Sequence, residues 1–191
     1  MSSPRWMLPD MNPLLRLRLF GVLFAFAIYA LDQWVKWLMV VPLQLRQKGV
    51  IDLLPFFDLR WTQNFGVSMG LFEADSMESR YILVGVTALI ALVVTIWMFR
   101  EKAWGDILGL SMILGGALGN IKDRYELGYV IDYADFHIGE FRPFLIFNIA
   151  DAAITIGVLI ILARAFFMRD KDTEEVDDLM HGKPADAAES N

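Results

Sequence analysis

The sequence predicts an all-α membrane bundle with a small β element, in which four transmembrane helices carry an extracytoplasmic β-rich platform. The first observation behind this prediction is the composition, since 56% of the 191 residues are hydrophobic and only 21% are charged. A soluble chain of this length could not bury so much apolar surface in one core. The second observation is that the apolar residues are concentrated in four long stretches, as expected of membrane-spanning helices.

Each apolar stretch is close to the roughly 20 residues that a helix needs to cross the hydrocarbon layer of a bilayer. The predicted spans cover about residues 19–41, 81–99, 104–121 and 144–168. The second span contains no charged residue and is the clearest of the four. The third contains Gly115, Gly116 and Gly119, and this small-xxx-small pattern predicts close helix packing.

A cleavable signal peptide is the alternative interpretation of the first span, because Arg16 and Arg18 precede it. The apolar run, however, continues well past the length of a signal-peptide core. Its one Ala-x-Ala sequence, residues 25–27, lies inside the run and does not follow it. We therefore expect a retained transmembrane helix.

The distribution of basic residues predicts that both termini are cytoplasmic. Eight bases lie beside the N-terminal end of span one, in the short link between spans two and three, and at or just after the C-terminal end of span four. Seven bases are spread over the two longer connections, residues 42–80 and 122–143. Since the cytoplasmic side of a membrane protein is enriched in lysine and arginine, these longer connections should lie outside.

Both longer connections contain strand signals. Residues 50–72 include the alternating apolar residues Phe57, Leu59 and Trp61, followed by a turn-prone segment at 64–66. Residues 128–139 are also strand-like in composition. We expect these segments to form the β-rich platform.

The net charge of −6 belongs to the C-terminal end of the chain. Residues 170–191 hold eight acids and two bases, whereas residues 1–169 hold fifteen of each. A polar segment with few apolar residues cannot offset its ordering entropy by burial. We therefore expect one membrane domain, residues 1–169, followed by a disordered acidic cytoplasmic tail. The neutral body has no basic patch, so nucleic-acid binding is not expected.

The chain contains no cysteine and only two histidines, His137 and His181. Thiolate nucleophiles and cysteine-based zinc sites are therefore excluded, and a Ser-His-Asp triad is hard to build. His137 is interpreted as an ordinary loop histidine. Chemistry is left to carboxylates, lysine, serine or tyrosine, and no metal or organic cofactor is expected.

Two ionisable residues lie in the first predicted span. Asp32 and Lys36 are four residues apart and therefore neighbours on one helix face, where they can neutralise each other. Because a carboxylate held by its own lysine is a poor proton acceptor, we interpret this pair as structural or supporting.

The spacing Asn-x-x-Asp occurs twice, as Asn120 to Asp123 and as Asn148 to Asp151. On a helix, residues three apart share a face, so each amide is predicted to donate to, or orient, the carboxylate of its own motif. Both copies are expected near the outer ends of their spans.

Two carboxylates close together in a partly desolvated site can share a proton and so activate water. Asp123 is flanked by two basic residues and is expected to stay ionised as an anchor. Asp132 lies among apolar residues, which should raise the pKa of its carboxyl group, and Asp135 should point to the opposite face of the same strand. Asp132 with Asp151 is therefore the preferred pair. The alternative for Asp132 is a solvated loop acid.

Two other functional classes are open at this point. The ionisable residues within the spans could form the relay of a small proton- or ion-coupled transporter. A non-enzymatic assembly subunit would instead tolerate asparagine at every one of these aspartates. Against the transporter, the acids gather toward one face and the sequence has no paired helix repeat.

Four segments resemble the motifs of the lipoprotein signal peptidases, the signal peptidase II family of bacterial membrane aspartic proteases. They are residues 31–36, 63–72, 115–135 and 147–154, and they occur in the order of the family. The resemblance extends from about residue 16 to residue 168. One departure is that Val67, Ser68 and Met69 follow Gly66, where the family usually has two small residues and an aromatic one, and this change could alter the substrate groove.

The resemblance implies that Asp132 and Asp151 are the catalytic residues. It assigns supporting or substrate-binding roles to Asp32, Lys36, Asn64, Asn120, Arg124 and Asn148. Gly66, beside Asn64, and Asp123, as the anchor, complete the predicted supporting set.

The implied activity is removal of signal peptides from prolipoproteins, by cleavage before a cysteine that carries a diacylglyceryl group. The implied location is the bacterial cytoplasmic (inner) membrane, with the active site toward the extracytoplasmic face. Membrane lipid and cyclic peptide antibiotics of the globomycin type, as inhibitors, are the other expected partners. The protein is expected to be a monomer.

Overall fold

The structure, a computed structural model, describes residues 12–66 and 77–180. Its helices are α1 (Pro13–Val40), α2 (Leu45–Lys48), α3 (Met77–Arg100), α4 (Trp104–Leu127) and α5 (Ile149–Met180). Its strands are β1 (Val50–Leu54), β2 (Phe57–Asn64) and β3 (Val130–Phe136).

Four of these helices are long and apolar enough to cross a membrane, namely Pro13–Val40, Arg80–Arg100, Trp104–Leu127 and Ile149–Phe167. The prediction of a four-span, multi-pass membrane protein is confirmed, although some helix ends differ. The first helix begins earlier than predicted because Asn12 caps it, with its Oδ1 accepting a hydrogen bond of 2.9 Å from the Leu14 backbone N–H. The last helix begins at Ile149, five residues later than the predicted 144.

The α4 helix is the centre of the bundle and packs against α1, α3 and α5. Of its apolar span 56% is buried, compared with 11% to 17% in the other three, whose apolar side chains are left for lipid. Close packing depends on glycines in α4. A side chain at Gly115 or Gly116 would collide with the backbone carbonyl oxygen of Ala25 or Ala150, respectively. The close helix contacts predicted from these glycines are therefore present.

A three-stranded antiparallel sheet in the order β1-β2-β3 confirms the predicted β element. The β2–β3 ladder is interrupted between Leu59 and Thr62, where β2 has an extra residue. Such a bulge moves all later side chains of a strand to the other face. As a result, Thr62 lies directly opposite Asp132, and Asn64 lies on the same face.

A buried apolar cluster joins the sheet to the end of α1 and to α2. It consists of Met39, Leu45, Leu59, Ile131, Tyr133 and Ala134. This cluster fixes β3 relative to the helices, and so fixes the position of Asp132 relative to the start of α5.

The α5 helix continues to Met180, into the segment 170–191 for which the sequence predicted disorder. Once a helix has formed, adding residues needs no new nucleation, so polar residues can extend a helix that is anchored by its apolar part. Residues 181–191, with His181, lie outside the described residues, as do the departures from the family motif at 67–69. The division into a membrane domain and a tail stays a prediction.

Candidate active site

Asp132, on β3, is more buried than Asp151, and only 1% of its surface is exposed. Its Oδ1 accepts a hydrogen bond of 2.7 Å from Asn148 Nδ2, and its Oδ2 accepts one of 2.9 Å from Asn64 Nδ2. Because amide groups hold both oxygens, the carboxyl group has one fixed orientation.

Asp151 lies in the first turn of α5 and is held by a reciprocal cap. The Asp151 backbone N–H donates to Asn148 Oδ1 at 2.9 Å, and the Asn148 backbone N–H donates to Asp151 Oδ2 at 3.3 Å. This exchange has the form of a capping box, with Asn148 as the residue before the helix. The remaining oxygen of Asp151, Oδ1, accepts a hydrogen bond of 2.8 Å from Asn120 Nδ2.

The side-chain amide groups of the two Asn-x-x-Asp motifs therefore donate to carboxylates outside their own motifs. Asn120, of the first motif, donates to Asp151 of the second, and Asn148 donates to Asp132 on β3. The prediction that each amide donates to, or orients, the carboxylate of its own motif holds only for the orientation of Asp151 by Asn148, since both side-chain amides donate to carboxylates outside their own motifs. The reason is that Asn148 precedes α5 and is not on its helical face, while the end of α4 brings Asn120 against the start of α5. The two amides also contact each other, since Asn148 Nδ2 lies 3.3 Å from Asn120 Oδ1.

The environment of Asp132 changes its acidity. Burial raises the pKa of Asp132 to about 6, and the negative charge of Asp151 contributes in the same direction, against the opposing hydrogen bonds from Asn64 and Asn148. The direction agrees with the prediction made from its apolar neighbours. Asp132 can therefore hold a proton at pH values at which an ordinary aspartate is ionised.

A buried ion cluster supports this pair of acids from the side of α1. Lys36 Nζ lies 2.8 Å from Asp32 Oδ2 and 2.8 Å from Asp123 Oδ2, and the lysine side chain is 3% exposed. The other oxygen of Asp32 accepts a hydrogen bond of 3.1 Å from the backbone N–H of Ala150. A carboxylate at the first turn of a helix is stabilised by its unpaired N–H groups, so Asp32 anchors the start of α5 immediately before Asp151.

Asp123 anchors β3 in a similar way. Its Oδ2 accepts a hydrogen bond of 3.2 Å from the backbone N–H of Ile131, the residue before Asp132. Its Oδ1 accepts one of 3.0 Å from Gln33 Nε2, which also lies 3.2 Å from Asp32 Oδ2. The sequence interpretation assigned no role to Gln33, although it stands inside the 31–36 motif next to Asp32.

Gly66 and Arg124 complete the surroundings of Asp132. Gly66 has φ +74°, a conformation that favours glycine, and its N–H donates to Asn64 Oδ1 at 2.8 Å. Because this bond holds Oδ1 of Asn64, the amide nitrogen Nδ2 of Asn64 faces Asp132. Arg124 interacts electrostatically with both Asp132 and Asp151, and a side chain at Gly66 would approach its guanidinium to 3.2 Å.

Arg80, at the start of α3, was missed by the sequence interpretation. Its Nε donates a hydrogen bond of 2.7 Å to the backbone carbonyl of Arg124. It also donates to the carbonyl of Tyr125. A cation at the C-terminal end of a helix satisfies free carbonyl groups, so Arg80 holds the end of α4 beside the site.

Two cavities open beside the two acids. A cavity of about 640 Å³ is bordered by Asp132, by the end of β2 and by residues 142–146. A second cavity of about 430 Å³ is bordered by Asp151 and is almost entirely apolar. Phe144 and Leu145 border both, so this segment separates them. The sequence interpretation did not identify residues 142–146 as part of the site.

His137 lies outside this site, with its Nε2 3.0 Å from Asp58 Oδ2. It follows β3 directly and lies beside a carboxylate of the sheet, which is consistent with the predicted ordinary loop histidine.

Comparison with known proteins identifies the family. A family model described as signal peptidase (SPase) II matches residues 24–167. The lipoprotein signal peptidase of Sphingopyxis alaskensis is 52% identical over 171 residues, which cover 90% of this chain and 94% of that protein. The lipoprotein signal peptidase of Rhizorhabdus wittichii is 54% identical over 151 residues, which cover 79% of this chain and 87% of that protein.

Two solved structures of bacterial membrane enzymes share the fold of this chain. A bacterial membrane enzyme with 27% sequence identity superposes with a TM-score of 0.65, and the match covers 76% of this chain and 92% of that structure. A second bacterial membrane enzyme, 25% identical, superposes with a TM-score of 0.60 over 88% and 94% of the two chains. Since the family model spans most of the chain and relatives that are more than half identical match along nearly their whole length, the chain belongs to the signal peptidase II family of proteases.

Proposed function

We propose that the protein is an aspartic endopeptidase that removes signal peptides from diacylglyceryl-modified prolipoproteins and cuts immediately before the lipidated cysteine. The observation that carries this proposal is the pair Asp132 and Asp151, two interacting carboxylates joined through the amides of Asn120 and Asn148. The substrate class is inferred from the relatives, which are lipoprotein signal peptidases.

In the proposed reaction, the two acids hold one proton between them. Asp151 lies at the N-terminal end of α5, where the helix dipole favours a negative charge, and takes a proton from the attacking water. Asp132 carries the shared proton, donates a hydrogen bond to the scissile carbonyl oxygen and later helps to protonate the leaving amine. Asn64 and Asn148 hold the Asp132 carboxyl group in place throughout.

The surroundings of the two acids support a lipidated substrate. The apolar cavity beside Asp151 is bordered by Phe136, Phe147 and Ile156, which can contact hydrocarbon. A substrate anchored by acyl chains can enter laterally from the bilayer, with its peptide reaching Asp132. Cyclic peptides of the globomycin type would act by occupying the same cavities.

The proposed location is the bacterial inner membrane, with a monomer that has both termini in the cytoplasm and the sheet outside. The support for this orientation is the concentration of basic residues near the helix ends opposite to the sheet.

The substrate is tested with purified protein in detergent and two forms of one precursor, with and without the diacylglyceryl group on its cysteine. We expect kcat/KM to be at least about a hundredfold higher for the lipidated form, because buried acyl carbons each contribute binding energy. Mass spectrometry should place the cut directly before the cysteine. Equal cleavage of both forms, or a cut elsewhere, would contradict the proposal.

The pH dependence tests the shared proton. Because the pKa of Asp132 is raised to about 6, its proton is present below that pH and is lost above it, so kcat/KM should fall as the pH rises through about 6. Asn64→Ala removes a hydrogen bond that lowers this pKa, and should move the alkaline limb to higher pH.

Asp52→Asn is the control for the pH experiment, since Asp52 is an exposed acid on β1. It should leave the profile unchanged. A flat profile in the native protein, or an alkaline limb that Asn64→Ala does not move, would be evidence against Asp132 as the proton donor.

A further inference from the structure

A second cluster of charges lies further along β3 than Asp132. Asp135 is 1% exposed, and its Oδ2 accepts hydrogen bonds from Arg60 Nε at 2.7 Å and from Arg142 Nε at 3.2 Å. Burial alone would raise the pKa of Asp135, but the hydrogen bonds from the two arginines hold it below its usual range. The cluster therefore contains one negative and two positive charges, an excess of one positive charge.

The two arginines have unused hydrogen-bond donors. Each guanidinium donates to Asp135 through Nε, whereas its terminal nitrogens donate no hydrogen bond to any residue in 12–66 or 77–180. The side chains of Arg60 and Arg142 are 35% and 39% exposed, so these donors are accessible. Asp58 lies opposite Asp135 on β2, and its Oδ2 is 3.0 Å from Nε2 of His137, which is a cation only when it is protonated. Among the described residues, Asp58 makes no ion pair with either arginine.

The position of Arg142 relates this excess charge to the proposed reaction. Arg142 borders the same 640 Å³ cavity as Asp132. Among the described residues that line this cavity, only Asp132 and Arg142 are ionisable. Asp135 is three residues from Asp132 along β3, a distance of about 10 Å at the usual rise of a strand, and points to the opposite face. It is therefore Arg142, which contacts Asp135 and borders the cavity of Asp132, that brings the positive charge to the Asp132 face. An extended peptide covers that distance in about three residues.

We infer that Arg142, supported by Arg60, is a specificity residue that binds the carboxylate of an aspartate or glutamate about three residues from the scissile bond of the substrate. This inference rests on the proposed function. Guanidinium groups with free terminal nitrogens match the geometry of a carboxylate and bind it through paired hydrogen bonds. A peptide is favoured over a lipid phosphate because Arg142 shares its cavity with Asp132, where the cleaved peptide must lie.

The experiment uses lipidated precursors that differ at one position, with either Glu or Gln placed two, three or four residues on each side of the cleaved bond. The measured quantity is the ratio of kcat/KM for the Glu and Gln forms. The enzymes are the native protein, Arg142→Gln, Arg60→Gln and, as a matched control, Arg46→Gln, which removes an exposed cation of α2 at the same end of the molecule. Because each enzyme has its own Gln reference, a general loss of activity does not affect the ratio.

For the native protein we expect a ratio of about five at one of these positions, as for a partly exposed charge pair with good geometry. The ratio should fall to about one in Arg142→Gln and be reduced in Arg60→Gln, which leaves a neutral Asp135–Arg142 pair, but should persist in Arg46→Gln. A ratio near one at every position in the native protein, or an unchanged ratio in Arg142→Gln, would overturn the inference. If Arg142→Gln does not fold, an unchanged ratio in Arg60→Gln overturns it.

Two further outcomes separate the possible sources of error. If the native protein cleaves no lipidated precursor, the proposed function fails, whereas cleavage without a preference for Glu rejects the carboxylate site alone. The assays are repeated in neutral detergent with and without phosphatidylglycerol. If activity depends on that lipid in the native protein but not in Arg142→Gln, and no preference for Glu is found, the ligand is a lipid phosphate and the peptide inference is rejected.

Discussion

Asp132→Asn and Asp151→Asn are each expected to lower kcat/KM for a lipidated precursor by about a thousandfold or more, while the protein remains folded. Asparagine has nearly the same shape as aspartate and can keep some of the surrounding hydrogen bonds, but it can neither accept the proton of the attacking water nor hold a shared proton. Since the proposed mechanism needs both functions, either substitution should be sufficient.

The matched control is Asp52→Asn, which removes an exposed acid from the same sheet and should leave the activity unchanged. Folding is checked by thermal unfolding and by size-exclusion chromatography in detergent. A folded Asp132→Asn or Asp151→Asn protein that retained substantial cleavage would remove this pair from the mechanism. Loss of turnover in a well-folded Asp123→Asn protein would instead mean that Asp123 has a chemical role.

Among the substitutions proposed here, Lys36→Met should lower the free energy of unfolding most, by about 3–5 kcal/mol. Lys36 is the cation between Asp32 and Asp123, and all three side chains are almost fully buried. Its removal would leave two carboxylates close together in a region from which water is excluded. Because Asp32 also binds the backbone at the start of α5, the position of Asp151 should suffer as well.

Lys122→Met provides the comparison for this stability measurement. Lys122 pairs with Glu126 at 2.6 Å, but these side chains are 36% and 52% exposed, so the pair should contribute less than about 1 kcal/mol. Thermal unfolding of both variants in the same detergent measures the difference. Similar small losses for Lys36→Met and Lys122→Met would show that the buried cluster is not the structural anchor described above.

Much of the fold could be predicted because its signals are local. A membrane span is recognised from one apolar stretch, since the bilayer sets the length of the helix whatever lies beside it. The strands within 50–72 and 128–139 were predicted from composition and alternation in the same way. The apolar neighbours of Asp132 in the chain also indicated a buried carboxylate before any contact was known.

The parts that were wrong or missed depend on residues far apart in the sequence. The donation by Asn120 to Asp151 and by Asn148 to Asp132 follows from where α5 begins and from how α4 meets it. Gln33 and Arg80 act on Asp123 and on the end of α4 through contacts that no spacing reveals.

The amino-acid sequence alone determined the membrane environment, the number of spans and the segments that form strands, and it supplied the prediction that Asp132 and Asp151 share a proton. These properties follow from side-chain chemistry within one helix or strand. Only the tertiary structure decided which amide holds which carboxylate and how a bulge in β2 turns Asn64 toward Asp132. It also decided that Arg142 and Asp132 border one cavity. The physical reason is that hydrogen bonds and ion pairs act over a few ångströms, and only packing of the helices and the sheet brings these distant residues within that range.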